Sequence, residues 1–598
     1  MATSSLSSSV NSRNLLVIGA GIHGLAAAKV LAEDASFDSI TIYDKADDIG
    51  GVWNKHQIYD GLTTNSPLFT FEFPDWKYPE HMRKTGVHIP AQDVHNYLHE
   101  YAEKFGLLSL VKFQTEVKKI DWDEKSQSWK VDGVNPSGPF QSSFTHLVVC
   151  TGMYHTPEPV LQPAEVEKFK GKVFHSSEMG NADVRKAIVK SKKVVVLGAG
   201  KSAIDIATLI ANNQWGEKED QAPKVTLLYR RPHWLSPRKI ISGLFYFELI
   251  LFCRFVLSWQ PFAIAPDFFH YFIANTWFGR WTTDIIFKYL SWDFTSTLGQ
   301  GAAPDTIPEH PLAGALSGGL HVEPVGYLDS VRSGAIDIVK GTIQNLNGKE
   351  AQVKLESGGS TTLKDVDVVL LATGYRVSFP FFSASLLKSL GMITKDSEDT
   401  ANISSIRLYR LMAPPATVQQ TIPSQPSRNI AFSGFAYNLL NPAVAHVAGH
   451  WIADYFNGQL ALPPVNKVKA ITEHFHSWQA KTFGVYGAKG THLGPHAPLF
   501  MDTLLEDMRL DTSHVKGSAL SPSRFLREWF RPMFPEVYAE VGADRRARNA
   551  APVQVHSKSS WSDAGDLEGH QLRQFALVVF ALLAVFVAGF AGLLGNFR

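Results

Sequence analysis

Two glycine turns constrain this chain more than any other feature. Each is set between a short apolar strand and a helix that opens at once. The first follows residues 14–18 (Asn-Leu-Leu-Val-Ile) and reads Gly19, Ala20, Gly21, Ile22, His23, Gly24; an Ala-rich helix over 25–33 and a strand over 39–44 come next. The second follows the β-branched run 193–197 and reads Gly198, Ala199, Gly200, Lys201, Ser202, Ala203; a helix over 204–212 and a strand over 225–229 follow. In such a turn the first glycine permits the sharp bend, the second lets backbone approach a pyrophosphate, and the third lets helix pack on strand. The pyrophosphate then meets free N–H groups and the positive end of a helix dipole. Two copies imply two nucleotides and an α/β chain with two Rossmann-like, dinucleotide-binding domains. Ala203 in the third position of the second turn is a change the packing role tolerates.

The ends of the second strands distinguish the ligands. Asp44 stands 20 residues after Gly24, where a carboxylate accepts from ribose hydroxyls and repels a 2′-phosphate. The other strand ends in Arg230 and Arg231, whose guanidinium groups suit a 2′-phosphate and point to NADPH rather than NADH. A merely solvated strand end is the competing explanation of that arginine pair.

Composition narrows the field. Lys and Arg total 57 against 56 Asp and Glu, a balance that asks for no nucleic acid. The two cysteines, Cys150 and Cys253, exclude a disulfide framework, a Cys-rich metal centre and a CxxC redox pair, and fit a reducing compartment. His446 and His450 stand at i, i+4 with no third ligand in sight, so no metal site is expected.

Residues 1–12 hold six serines and no apolar core, which predicts a disordered tail rather than a signal peptide. Residues 575–595 carry no charge and no proline; at 1.5 Å per residue they span about 30 Å, the thickness of a bilayer core. A transmembrane helix is expected there, a single-pass C-terminal anchor with the preceding domains in the cytosol and the endoplasmic reticulum as the membrane. A buried core helix is the competing explanation. The segment 241–290 holds 16 Phe, Tyr and Trp, but its charge-free runs are too short to cross a bilayer. An apolar lid, a substrate passage, a face dipped into the membrane surface and ordinary buried helices all fit it.

Further marks then appear in order: Gly50-Gly51-Val52-Trp53; Thr64-Asn65 before a Phe- and Pro-rich stretch; Phe169-Lys170-Gly171 with His175-Ser176; Arg230, Trp234 and Arg238; and Ala372-Thr373-Gly374-Tyr375. Together they resemble the class B flavin-dependent monooxygenases, with their GGxW, TN, FxGxxxHS, RxxxWxxxR and ATGY motifs. One position departs: the family fingerprint continues to Tyr or Trp, and here stands Met179, followed by Gly180.

The resemblance implies an FAD domain interrupted by an NADPH domain. The FAD-binding domain would begin over 13–165 and resume over 331–463. The NADPH domain would occupy 166–330, with an aromatic insertion at 241–303, and an extension would cover 464–574. The resemblance also implies FAD and NADPH as cofactors and monooxygenation of a small, apolar organic substrate by O2 through a flavin C4a-(hydro)peroxide. N- or S-oxygenation or hydroxylation is the main expectation, and Baeyer–Villiger insertion beside a ketone the alternative. Asn65 would act beside the flavin. Gly19, Gly21, Gly24, Asp44, Gly51 and Trp53 would hold FAD. Gly198, Gly200, Ser202, Arg230 and Arg231 would hold NADPH. His175, Thr373 and Gly374 would bind the cofactors where the domains join, His175 coupling NADPH binding to domain orientation. Asn438 and Asn441 would present a helix N-terminus to the flavin ring. A flavin disulfide reductase fails for want of a cysteine pair, a ferredoxin-type reductase leaves FxGxxxHS unexplained, and a membrane-anchored nucleotide-binding protein without catalysis remains as a reading of another class.

Overall fold

The computed structural model describes residues 12–550 apart from 85, 218–220, 261, 264–267, 316–318, 395–398, 419–426, 461 and 515–521. The span expected at 575–595, and the tail at 1–12 except its last residue, lie outside the described residues. Among the described residues no helix is long and apolar enough to cross a membrane.

Two parallel sheets carry the two glycine turns. The first has the order Ile430–Phe432, His146–Val149, Asn14–Ile18, Ser39–Tyr43, Val111–Lys112. Its strands are covered on both faces, which is why they read as continuous apolar runs rather than alternating ones. Leu15, Leu16 and Val17 are fully buried. The helix Ile22–Glu33 packs on one face and in turn receives the buried helix Asn441–Phe456. Gly449 lets these helices close, because a Cβ there would sit 3.3 Å from the Ala26 carbonyl oxygen.

The second sheet has the order Lys172–His175, Val368–Leu371, Lys193–Leu197, Lys224–Tyr229, Ile336–Asn347, and is extended by the antiparallel strands Glu350–Leu355 and Ser360–Leu363. It therefore draws on residues beyond 330, the limit expected for the NADPH domain. The chain rejoins the first sheet only at Ile430–Phe432.

In each sheet the strand before the glycine turn lies between its βαβ partner on one side and a later crossover strand on the other. That reversal of strand order opens a crevice at the carboxyl ends of the strands, the place where α/β sheets bind ligands.

The aromatic insertion divides between core and surface. Phe287 and Phe294, on the helix Trp277–Thr297, are buried with Trp234, Ile240 and Leu312. Trp277, Trp281, Ile285, Tyr289 and Trp292 on the same helix are exposed, Trp277 by 74%. The 464–574 extension joins the core of the first unit: Leu499, Phe500 and Leu504, from the helix Ala497–Asp507, pack into it. Arg545, on the helix Val541–Ala550, is clamped between Asp34 and Asp454.

Candidate active site

The first turn is a backbone cradle. Gly19 has φ +103°, and a Cβ there would lie 2.6 Å from the Cys150 carbonyl oxygen; at Gly24 it would lie 1.8 Å from the Gly19 oxygen. Gly21 faces Gly51, and a Cβ on Gly51 would stand 3.3 Å from the Gly21 Cα. Two bare backbones thus approach across a gap that side chains would fill, as a pyrophosphate cradle requires. Asp44 braces the turn from below: its carboxylate accepts the Ala20 N–H at 2.7 Å and the Ala46 N–H at 2.8 Å. Burial pushes its carboxyl above the ordinary range, and these two donors oppose the shift. A carboxylate has about four lone-pair sites, so acceptor capacity remains for ribose hydroxyls. Trp53 packs edge-on against Phe71 with centroids 5.7 Å apart.

The second turn repeats the plan. Gly198, at φ +137°, would place a Cβ 2.2 Å from the Ala372 carbonyl oxygen, and Gly200 opens onto free space. Ser202 is exposed in the first turn of the helix Lys201–Ala211, while Lys201 reaches Asp205 at 2.6 Å. Arg230 and Arg231 are exposed just beyond the strand Lys224–Tyr229. These residues fit a dinucleotide whose pyrophosphate meets the helix N-terminus and whose 2′-phosphate meets the arginines.

Residues 150–152 and 372–374 leave the sheets beside the two glycine turns. His175 ends its strand opposite Leu371, accepts the Ser177 N–H at its Nδ1 (3.1 Å), and packs edge-on against Tyr375 at 5.2 Å. It thereby ties the fingerprint segment to the Thr373-Gly374 turn. Gly374 has φ +85°, and its carbonyl accepts from the Glu158 N–H. Met179, at the departing position, is fully buried in the core of the second unit. Gly180 follows because a Cβ there would come within 2.0 Å of the His56 carbonyl oxygen.

Asn65 lies between the units. Its Oδ1 accepts the Val322 N–H at 3.0 Å, which fixes the amide orientation and leaves the NH2 group as donor. It lines a cleft open to solvent. The first unit supplies Asn65, Ser66 and His88; the second supplies Ser236, Arg238 and Val322; the aromatic insertion supplies Phe247, Glu248, Leu251 and Phe252. His88 donates from Nδ1 to the Thr64 carbonyl at 2.9 Å, and burial lowers its pKa to about 4, so it is neutral at physiological pH. Glu248 accepts the Gly86 N–H at 2.7 Å. His88 and Glu248 are invisible to sequence reasoning because nothing local to either marks a site.

Two pairs singled out in the sequence have partners within the protein. Asn438 and Asn441 sit at the start of the helix Asn441–Phe456, but Asn441 Oδ1 is 3.0 Å from His23 Nε2 and Asn438 Oδ1 accepts the Leu440 N–H. His446 and His450 are buried; His446 faces Asp75 at 3.5 Å and His450 lies 2.9 Å from Arg545.

Comparison with known proteins sets these sites in context. Residues 12–270 match the family model described as flavin-binding monooxygenase-like. The dimethylaniline monooxygenase [N-oxide-forming] 2 of Cavia porcellus is 24% identical, over 98% of this chain and 99% of its own length. An FAD-dependent monooxygenase of Pyrenophora dematioidea is 25% identical, over 84% and 99%. Among solved structures, S-allyl-L-cysteine S-oxygenase of Allium sativum aligns with TM-score 0.51 at 18% identity, covering 90% of this chain and 94% of its own. NADP+-bound cyclohexanone monooxygenase of Rhodococcus sp. Phi1 aligns with TM-score 0.54 at 14% identity, covering 83% and 97%.

Proposed function

Because the chain belongs to the class B flavin-dependent monooxygenases and uses FAD and NADPH, we propose that it oxygenates a small, apolar organic substrate held beside Asn65, by N- or S-oxygenation or hydroxylation. The cleft carries this reading. It joins the polar floor at Asn65, Ser66 and His88 to an apolar wall of Phe247, Leu251, Phe252 and Leu439. Such a site buries an apolar body while a few polar groups orient it.

Bound FAD supplies the oxygen-activating redox chemistry, with NADPH as the source of hydride. The chain's own residues supply position. The Gly19–Gly24 turn with Gly51 would receive the FAD pyrophosphate, Asp44 the ribose, and Trp53 the wall beside it. Gly198, Gly200 and Ser202 would receive the NADPH pyrophosphate, and Arg230 with Arg231 its 2′-phosphate. His175, Thr373 and Gly374 would set the angle between the units. The Asn65 NH2 group would donate toward the reacting oxygen while Val322 holds the other end of the amide.

The test is to offer the purified enzyme amines, thioethers and ketones under 18O2 and weigh the products. One labelled oxygen on nitrogen, sulfur or carbon is expected. Labelled esters or lactones from ketones alone would replace the reading with Baeyer–Villiger insertion.

The same proposal places the enzyme at a membrane, in the endoplasmic reticulum with its catalytic units in the cytosol. The uncharged, bilayer-length run at 575–595 supports the anchor. The exposed stripe Trp277, Trp281, Ile285, Tyr289 and Trp292 supports a second contact, since Trp and Tyr favour the headgroup level.

A further inference from the structure

The loop after the first nucleotide strand carries Asp48, and the helix Ala91–Lys104 carries His95 and His99 at i, i+4, on one face. The fold brings the three together, with one ligand atom from each lying within 4.8 Å of the others. Asp48 Oδ1 is 2.8 Å from His99 Nε2, and Oδ2 is 3.6 Å from His95 Nε2. None of these residues has a role in the monooxygenase reading.

The hydrogen bonds around the cluster orient it. His95 Nδ1 lies 3.1 Å from the Trp53 carbonyl oxygen. A carbonyl only accepts, so Nδ1 carries the proton and Nε2 turns its lone pair toward the Asp48 carboxylate. Nε2 and the carboxylate oxygen stand 3.6 Å apart, too far for a hydrogen bond, and a proton or a metal ion between them would relieve their repulsion. The Asp48 loop is held as well: Asp48 accepts the Ile49 N–H at 2.9 Å, and the Asn54 amide donates to the carbonyls of Asp48 and Ile49. Lys55, a cation of the same loop, pairs with Asp47 at 3.6 Å.

We propose that Asp48, His95 and His99 form a site for a divalent transition ion of the zinc class. Two imidazole nitrogens and one carboxylate oxygen suit that ion, and metal-bound histidines commonly donate their other N–H to a backbone carbonyl, as His95 does to Trp53. Ligand atoms at about 2.0–2.1 Å from a tetrahedral ion stand about 3.3–3.5 Å from one another, a spacing that small side-chain rotations reach from three atoms already within 4.8 Å. Binding moves the His99 proton from Nε2 to Nδ1. The His99 side chain is 31% exposed, so the displaced N–H reaches water and the ion has a way in. The effect is to pin the loop that carries Gly50, Gly51 and Trp53 to the helix Ala91–Lys104.

The test uses the full-length FAD-loaded enzyme, stripped with chelator, equilibrated with Zn2+ and freed of excess metal. Retained zinc is counted by mass spectrometry and affinity read against a competing chelator. One zinc per chain is expected. His95→Ala and His99→Ala should each weaken it at least about 100-fold, since even outer-shell partners are worth 10–100-fold. His56→Ala should leave it unchanged, because His56 pairs with Asp47 outside the cluster. No zinc retained by the wild type, or wild-type retention in both variants, overturns the site. If the alanine variants lose FAD or fold poorly, X-ray absorption of the zinc-loaded wild type decides: two imidazoles in the shell support the site, and a shell without imidazole overturns it.

Discussion

The two glycine turns are built on one plan and differ at two points, one steric and one chemical. In the first, position six must be glycine, because a Cβ on Gly24 would fall 1.8 Å from the Gly19 carbonyl oxygen. In the second the same position is Ala203, fully buried, in ordinary contact at 3.5 Å with the Cβ that Gly198 would carry. The first strand pair ends in an acid that turns back to brace its own turn. The second ends in two exposed arginines that leave the turn alone. The turn geometry is thus set by steric need and recurs, while ligand choice is carried by one side chain at a strand end and can diverge.

The steric half of this comparison predicts the largest effect. Gly24→Ala should drive a methyl into immovable backbone and cost at least about 3 kcal/mol, the upper end of overpacking penalties, with loss of bound FAD. Ala203→Gly should cost only about 0.5–1 kcal/mol through helix entropy. Thermal unfolding and flavin content of the two variants check this; equal losses would erase the distinction between the turns.

The chemical half predicts the next. Arg230→Ala should raise KM for NADPH about 10- to 100-fold, the value of a lost charge-assisted phosphate contact of about 1.5–3 kcal/mol, and leave KM for NADH nearly unchanged. Equal effects on both nucleotides would return the arginine to an ordinary solvated strand end.

Smaller still should be the effect of Asn65→Ala on nucleotide use, since Asn65 belongs to neither turn. FAD binding and NADPH oxidation should persist within about twofold, because the lost contact to Val322 is a single hydrogen bond worth about 1 kcal/mol. Product should fall and hydrogen peroxide rise in its place. Full coupling of NADPH to product in the variant would remove Asn65 from the oxygen chemistry.

What the sequence makes legible follows the range of the physics involved. Gly19, Gly24 and Gly198 answer to clashes with residues on their own or a neighbouring strand, so a short motif reports them. Asp44 and Arg230 are legible because a strand end fixes their distance from the turn. Residues 336–371 fall on the wrong side of a boundary at 330, because their pairing in the second sheet depends on crossover packing that no local pattern announces. The hydrogen bond from Val322 to Asn65 spans 257 residues. Asp48 meets His95 and His99 only because a helix docks on the loop after the first nucleotide strand. Of the i, i+4 histidine pairs, the sequence draws attention to His446 and His450, which the fold spends on Asp75 and Arg545.

The smallest change in chemistry should follow the largest change in covalent structure, removal of the chain beyond residue 571. Both glycine turns, the cleft at Asn65 and the helix Val541–Ala550 lie before that point. That helix is tied to the first unit by Arg545 with Asp34 and Asp454, and by Arg548 with Asp454 at 2.7 Å. Asp454 is fully buried, so the contact fixes the helix Val541–Ala550 to the first unit. The truncated enzyme should retain FAD and oxidise NADPH at close to the full-length rate. What should change is its bond to lipid. Full-length protein should resist extraction by alkaline carbonate, as a spanning helix does. The truncated form should be released by carbonate, held only by the stripe from Trp277 to Trp292, whose rings would reach the headgroup level without crossing it. Replacing Trp277, Trp281 and Trp292 with Gln in the truncated form should then weaken binding to liposomes with no change in NADPH oxidation. Full-length protein that is soluble without detergent would show that 575–595 does not span, and tight liposome binding by the triple variant would show that the aromatic face is not what touches lipid.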